Sequence, residues 1–339
     1  MNIRMKKLFA KLLFAALFPL LAIGWLWCLG AFFHAFDAPS WIAAAASAVT
    51  AVLLVACIFH RRAILPLVIA ELAVFAAFLC ITPEQRFQNT QWQTSWDKTA
   101  KVRKLDDGRY ELGNVRDFHY RSENDFDTAY RVVTVDPKRI SSIDAVFSHW
   151  DDLEIVAHSM LGLNFADGTT IVFSLETRLP RGLEQNAVDG FYHRYCLAML
   201  AGTPEDLYGL RVDHRGETLY VYRIDADREY MEKTVRSLLE RAGHLQQHPK
   251  FYNSLFRNCT TGLLPMLPQA KGLQDGDIRL VLNGLADKML FERDLIVRRE
   301  GESFGSLRAR SLVPGRCRGK GAPPAHYCGE SEAIWLKNR

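Results

Sequence analysis

Apolar positions are unevenly distributed along the chain. Residues 8–33, 41–59 and 63–81 form three runs that are almost wholly apolar, and no run of that kind recurs after Thr82. Each run has the ~20 residues that a helix needs to cross a hydrocarbon layer. From there the pattern changes to short alternating stretches. Residues 143–181 alternate as strands do, and Glu217–Ile224 forms another such stretch. A helical period follows over about 226–245, with Tyr230, Met231, Val235, Leu238, Leu239 and Ala242 on one side. Asp225 suits the N-cap of that helix.

These patterns predict an α+β chain in four parts. Residues 1–82 are a three-helix transmembrane segment and residues 83–100 a polar linker. Residues 101–300 are a globular domain, in which Asp106-Asp107-Gly108 marks a turn. Residues 301–339 are a loosely ordered tail rich in Gly, Arg and Pro.

Charge sets the expected orientation. Arg4, Lys6, Lys7 and Lys11 precede the first span, Arg61 and Arg62 separate the second from the third, and the first inter-span loop carries only Asp37. The positive-inside rule puts the N-terminus and the 60–62 loop in the cytoplasm and residues 83–339 in the periplasm of a bacterial inner membrane. A cleaved first span would leave that side unchanged, because the next two spans still form a hairpin. The net charge is +4, from 42 basic and 38 acidic residues. The two signs interleave over 227–241, which reads as a solvated surface, so no nucleic-acid partner is expected.

Seven cysteines divide by position. Cys28, Cys57 and Cys80 fall in the spans. Cys317 and Cys328 flank a Gly/Pro-rich stretch, where an oxidising compartment permits a bridge. Cys196 lies in an apolar stretch and reads as core. Cys259 stands in Asn258-Cys259-Thr260-Thr261, where Asn258 suits a helix N-cap and the first helical turn favours a thiolate. No histidine pattern has zinc spacing, His34, His60, His244 and His248 included, and no metal or cofactor is expected.

The best-specified local structure is a hairpin. Leu161, Leu163 and Phe165 share one face of its first strand, and His158, Met160, Gly162 and Asn164 share the other. A two-residue Asp-Gly turn would set the apolar face of one strand beside the polar face of the next. A three-residue loop, Ala166-Asp167-Gly168, aligns like faces and pairs His158 with Glu176 and Met160 with Ser174. Cβ atoms of such pairs lie roughly 5 Å apart, within reach for a carboxylate to orient an imidazole. Cys259 as nucleophile, His158 as base and Glu176 as orienting group would make a thiol site. A half-buried strand histidine and a buried or bridged thiol, Cys196–Cys259 included, are the structural alternatives.

Several of these segments, in order, resemble the periplasmic domain of Lnb-type lipoprotein N-acyltransferases: Asn114-Val115-Arg116-Asp117-Phe118, Ala157-His158-Ser159, Phe173-Ser174-Leu175-Glu176-Thr177-Arg178, Phe251-Tyr252-Asn253 and Asn258-Cys259-Thr260-Thr261. The resemblance spans about residues 90–270. It implies a fold similar to permuted papain-like (NlpC/P60-like) enzymes, in which the histidine strand precedes the cysteine helix. It also implies transfer of an acyl chain of a lipoprotein onto its own N-terminal amine, through a thioester on Cys259. Membrane lipid or lipoprotein acyl chains would be the partners. Arg116, Arg178, Tyr252 and Asn253 are candidate substrate-binding residues, although ion pairing is the commoner use of the two arginines and Trp150 reads as core. A papain-like peptidase or amidase acting on cell-wall peptides and a non-catalytic envelope scaffold are the competing readings. A narrow polar cleft would favour the peptidase, and an apolar groove would favour acyl transfer.

Overall fold

The structure, a computed structural model, describes residues 3–36, 39–82, 87, 89–150, 154–254, 256–267 and 277–315. The chain divides into two compact units. One comprises Met1–Thr90, Leu183–Cys196 and Phe251–Ser254, and the other Gln91–Gly182, Leu197–Lys250 and Leu255–Arg339.

The first unit contains the three apolar runs as helices α1 (Ile3–His34), α2 (Ser40–Phe59) and α3 (Ile64–Ile81). Stretches of 23, 20 and 21 residues in them are long and apolar enough to span a membrane. Leu20, Ile23, Val52, Phe59 and Leu72 are exposed, as lipid-facing side chains are. The third run contains one acid, Glu71, whose carboxylate lies against Gly24 of α1. The ends of α1 and α3 hold the inserted segment Leu183–Cys196. Tyr192 Oη donates to the Trp27 carbonyl (3.1 Å), His34 Nδ1 meets Asp189 Oδ1 (2.6 Å), and Thr82 Oγ1 meets His193 Nδ1 (3.3 Å). The His193 ring stacks on Phe251 at 3.9 Å between centroids, which ties Phe251–Ser254 to the same end.

The second unit is built on one sheet. Its strands are β1 (Lys101–Lys104), β2 (Tyr110–Arg116), β5 (Tyr130–Val135), β6 (Ile140–His149), β7 (Ala157–Phe165), β8 (Thr170–Arg178), β9 (Cys196–Gly202) and β10 (Thr218–Arg223). A separate two-stranded ribbon joins β3 (His119–Tyr120) and β4 (Phe126–Asp127). The order is β1-β2-β9-β8-β7-β6-β10, with β5 also on β2. The helices are α4 (Pro204–Gly209), α5 (Arg228–Gln247), α6 (Cys259–Leu263), α7 (Ala286–Glu292) and α8 (Phe304–Arg310). The architecture is α+β, as the patterns predict.

The β7–β8 register is the expected one. Met160 pairs with Ser174, Leu161 with Phe173 and Asn164 with Thr170, and Gly168 closes the loop at φ +85°. The expectation of a half-buried sheet needs correction, because both faces are covered. One face packs Val146, Met160 and Val172 against Leu207, Tyr208 and Val313. The other packs Ala145, Phe147 and Ala157 against Leu264, Leu280 and Met289. The alternation on β7 therefore separates two cores rather than core from solvent.

Four further readings change. The N-cap of α5 is Asp227, which accepts from the Tyr230 amide, because the chain is still strand-like at Asp225, whose amide donates to Leu295. Residues 91–97 dock beside the end of β8 through Trp92–Pro180 and Gln93–Leu179 backbone pairing, so the linker is fixed there. In the segment read as a tail, Ser303 caps α8, Leu307 is buried, and Ser311 and Val313 pair with β10. Residues 316–339, with Cys317 and Cys328, lie outside the described residues. Trp150 is 36% exposed rather than core.

Candidate active site

Cys259, His158 and Glu176 converge in the second unit. Asn258 starts α6, its side-chain oxygen accepting from the amides of Thr260 (3.0 Å) and Thr261 (2.9 Å), while Thr261 Oγ1 accepts from the Asn258 amide (3.0 Å). Gly262 seats the helix against β8, where a Cβ would lie 2.2 Å from Leu175 Cδ2. These two features set the thiol beside the start of β7, with Sγ 3.9 Å from the Ala157 carbonyl. No disulfide joins Cys259 to Cys196, which is buried.

A short polar chain runs from the imidazole. His158 Nε2 lies 2.6 Å from Ser174 Oγ and 3.1 Å from Glu176 Oε1, and Ser174 Oγ donates to Glu176 Oε1 at 2.6 Å. Arg211 Nη2 donates to Glu176 Oε1 at 2.8 Å. Arg211 sits in a π-helical turn, Leu210–His214, directly after α4, a local widening of the kind often found at functional sites.

The charges are coupled. Burial opposes the imidazolium, but the Glu176 carboxylate outweighs it and His158 is pushed up to about 9 from 6.5. Burial also opposes the thiolate. The charge of His158, its hydrogen bond to sulfur and the Ser159 amide outweigh that, and Cys259 is lowered from 9.0. Glu176 is buried too, yet His158 and Arg211 hold it well below the ordinary carboxylate range. The arrangement favours a thiolate–imidazolium pair backed by a carboxylate.

The helix-start explanation for the thiolate is too strong. α6 has five residues, and the amides of Thr260 and Thr261 are taken by Asn258. A single turn adds little macrodipole, so the histidine does most of what the first turn was expected to do.

Sequence patterns missed Asn283, Ser174 and Arg211 as members of the site. Asn283 Nδ2 lies 3.3 Å from Cys259 Sγ and 3.0 Å from Thr260 Oγ1, and its Oδ1 accepts from the Ala157 amide at 2.9 Å. Gly284 permits this approach, since a Cβ there would lie 2.2 Å from the Glu154 carbonyl oxygen. The only local signal is an Asn-Gly pair, which ordinarily marks a turn. Ser174 was already on the correct strand face.

Arg116 and Arg178, proposed as substrate-binding residues, are engaged within the second unit. Arg116 is 3% exposed and bidentate to Asp206 at 2.6 and 3.1 Å, and also donates to Ser95 O and Tyr120 Oη. Arg178 lies over the Trp92 ring and donates to the carbonyls of Trp96 and Asp97. Tyr252 and Asn253 belong to the unit of the membrane helices, where the Tyr252 amide donates to Tyr195 O. Arg116 makes the structural ion pair weighed from sequence, with Asp206.

A cavity of about 270 Å³ flanks α6. Its lining is mostly apolar, Leu263, Leu264, Leu267, Leu280, Met289 and Leu290 included, and also contains Asp225 and Asp227. Ser159 and Thr260, the neighbours of His158 and Cys259, also line it, their hydroxyls 2.7 Å apart.

No curated protein and no solved structure matches the chain. Residues 127–284 match a family model described as the Lnb N-terminal periplasmic domain. This range leaves out Asn114–Phe118 and takes in Asn283, so it begins and ends later than the motifs suggested. Residues 127–284 are thus similar to the periplasmic domain of the Lnb type, in a chain with three helices long and apolar enough to span a membrane.

Proposed function

We propose that this protein is a membrane-anchored, cysteine-dependent acyltransferase with Cys259 as nucleophile, His158 as acid–base and Glu176 as its orienting carboxylate. The observation that carries the reading is the His158–Glu176 pair with the Cys259 thiol at the start of the same strand, beside a cavity lined mostly by apolar side chains. The thiolate attacks the carbonyl carbon of an acyl ester, so a C–S bond forms and the C–O bond breaks. His158 gives its proton to the departing alkoxide. An amine then attacks the thioester, a C–N bond forms, C–S breaks, and His158 takes the amine proton. Asn283 Nδ2 and the Cys259 amide are the donors for the oxyanion in both steps.

The substrate class follows from the cavity and from the family match. An apolar cavity beside the nucleophile suits an alkyl chain better than a cell-wall peptide, which would call for polar subsites. A lipoprotein whose own amine accepts the chain is the reaction that the Lnb resemblance implies. A permuted papain-like fold is consistent with a histidine strand, β7, that precedes the cysteine helix, α6. In this reading the N-terminus is cytoplasmic and the thiol faces the periplasm of the inner membrane.

The test is direct. The purified full chain is incubated with a diacylated lipopeptide and examined by mass spectrometry for an acyl adduct on the Cys259 peptide. Cys259→Ala should remove both adduct and product. Acyl transfer that survives in Cys259→Ala refutes the thiol mechanism, and cleavage of a cell-wall peptide without acyl transfer favours the amidase.

A further inference from the structure

The helix α5 sorts its charges in a way the one-dimensional pattern hides. Val235, Leu238, Leu239 and Ala242 point into the core, and Lys233, Arg236, Arg241 and His244 lie on a stripe along one wall of an open groove of about 960 Å³. The opposite wall brings Lys250 and Arg257, and the end nearest the candidate nucleophile is Thr261 and Gly262 of α6. Five lysines and arginines thus line the groove against one carboxylate, Glu240, which accepts a hydrogen bond from Tyr110 Oη. Lys233 is also held by Glu229, at 2.6 Å. The interleaved signs of 227–241 read as a solvated surface, but in three dimensions they leave a positive groove one helical turn from Cys259.

We propose that this groove binds the phosphate headgroup of an anionic phospholipid. Charge complementarity selects the ligand class, because clustered lysines and arginines around a concave site attract phosphate. The anchor of the same chain selects the lipid source, since three of its helices are long and apolar enough to span a membrane. Phe256, 80% exposed, lines the groove. An exposed phenylalanine among cations is the pairing that interfacial segments use. The inference does not depend on the acyl chemistry, since neither Cys259 nor His158 contributes to the groove.

The experiment uses the full chain in an uncharged detergent and counts bound lipid by native mass spectrometry. Dioleoyl phosphatidylglycerol should bind at least about tenfold more tightly than dioleoyl phosphatidylcholine, and rising salt should weaken it. Arg236→Glu with Arg241→Glu should remove that preference, whereas Lys138→Glu with Lys288→Glu, exposed elsewhere, should retain it. Arg236→Gln with Arg241→Gln, a milder pair, should weaken the preference in the same direction should charge reversal impair folding. Equal binding of the two lipids, or an unchanged preference in both groove variants, overturns the proposal. So does inorganic phosphate or a polyglutamate peptide that binds as tightly as the anionic lipid. Cys259→Ala should bind lipid like the parent, so failure of the acyltransferase reading and failure of this one give different results.

Discussion

Arg211 and Glu176 meet at 2.8 Å, with Arg211 buried and Glu176 15% exposed, and this contact supports the charge behind His158. A buried carboxylate alone would tend to take up a proton. The guanidinium keeps it ionised, and the ionised carboxylate keeps His158 protonated to about 9. The imidazolium in turn favours the Cys259 thiolate. His158, Glu176 and Cys259 therefore titrate as one coupled set.

Removing the carboxylate should be visible at the sulfur. In Glu176→Gln the His158 proton is lost at lower pH, so less imidazolium is present to hold the thiolate. Iodoacetamide labelling of the Cys259 peptide, followed by mass spectrometry, should slow by about tenfold near pH 7. The inflection of its pH profile should move up toward the ordinary thiol value of 9.0. An unchanged profile would show that the carboxylate does not act on the thiol.

The same variant should change the dependence of stability on pH. The folded value of His158 is raised from 6.5 to about 9, so the stability it contributes is complete below 6.5 and lost as pH rises through 9. Glu176 is depressed below 4.5, so its contribution is present above 4.5 and lost as pH falls. The difference in Tm between parent and Glu176→Gln should be greatest at roughly pH 5–6.5 and should shrink toward pH 9. Arg211→Met, which leaves Glu176 buried without its cation, should cost about 3 kcal/mol. Thermal unfolding followed by circular dichroism reads both effects.

Asn283→Ala should separate turnover from thiol reactivity. The carboxamide lies 3.3 Å from Sγ, and loss of one oxyanion donor typically lowers kcat by about 10²–10³. Labelling of Cys259 should change far less, since His158 and the Ser159 amide still hold the thiolate. Equal loss of labelling and turnover would assign Asn283 to sulfur positioning rather than to the oxyanion. Gly284→Ala should act on the same residue through the backbone, because its Cβ would press on the Glu154 carbonyl oxygen and the Val156 amide nitrogen. A loss of about 1–3 kcal/mol is expected from such overpacking.

Legibility differs between the two halves of the site for a physical reason. The His158 side was readable because strand alternation and the three-residue loop fix which residues face each other across a hairpin, and Met160–Ser174 pairs as that rule requires. Asn283 reaches the thiol from 24 residues away in sequence, through a segment of short 3₁₀ turns with no period to follow. Arg211 is held by a π-turn that no local pattern signals. The membrane helices were legible from apolar runs alone. The burial of both sheet faces was not, because β7 alternates between two apolar cores and so resembles a strand with one solvent face.

Arg116 carries a prediction about what it does not do. Its guanidinium is bidentate to Asp206, and both side chains are buried. Arg116→Met leaves an unpaired buried carboxylate and should cost about 3–5 kcal/mol, while Asp206→Leu combined with it should recover much of the loss. The rate of Cys259 labelling per folded molecule should stay at the parent value. A selective loss of substrate affinity in a fully stable Arg116→Met would instead return Arg116 to substrate binding.

The cavity beside α6 makes the acyltransferase reading sensitive to chain length. Its volume of about 270 Å³ is lined by Leu264 and Met289 among other apolar side chains, with Asp225 and Asp227 the charged residues of the lining. Met289→Trp should fill part of that space while leaving Cys259, His158 and Glu176 in place, because Met289 is on α7 and the site residues are on α6, β7 and β8. Thioester formation from a short acyl ester should then stay within about twofold of the parent, and formation from a long-chain ester should fall at least about tenfold, since each methylene excluded from an apolar pocket is worth about 1–3 kcal/mol. The comparison is made by mass spectrometry of the Cys259 peptide across a series of ester chain lengths. A uniform loss at every length would mean that the substitution disturbs the site itself. No loss at any length would mean that the acyl chain lies elsewhere, and the cavity would then cease to support acyl over peptide substrates.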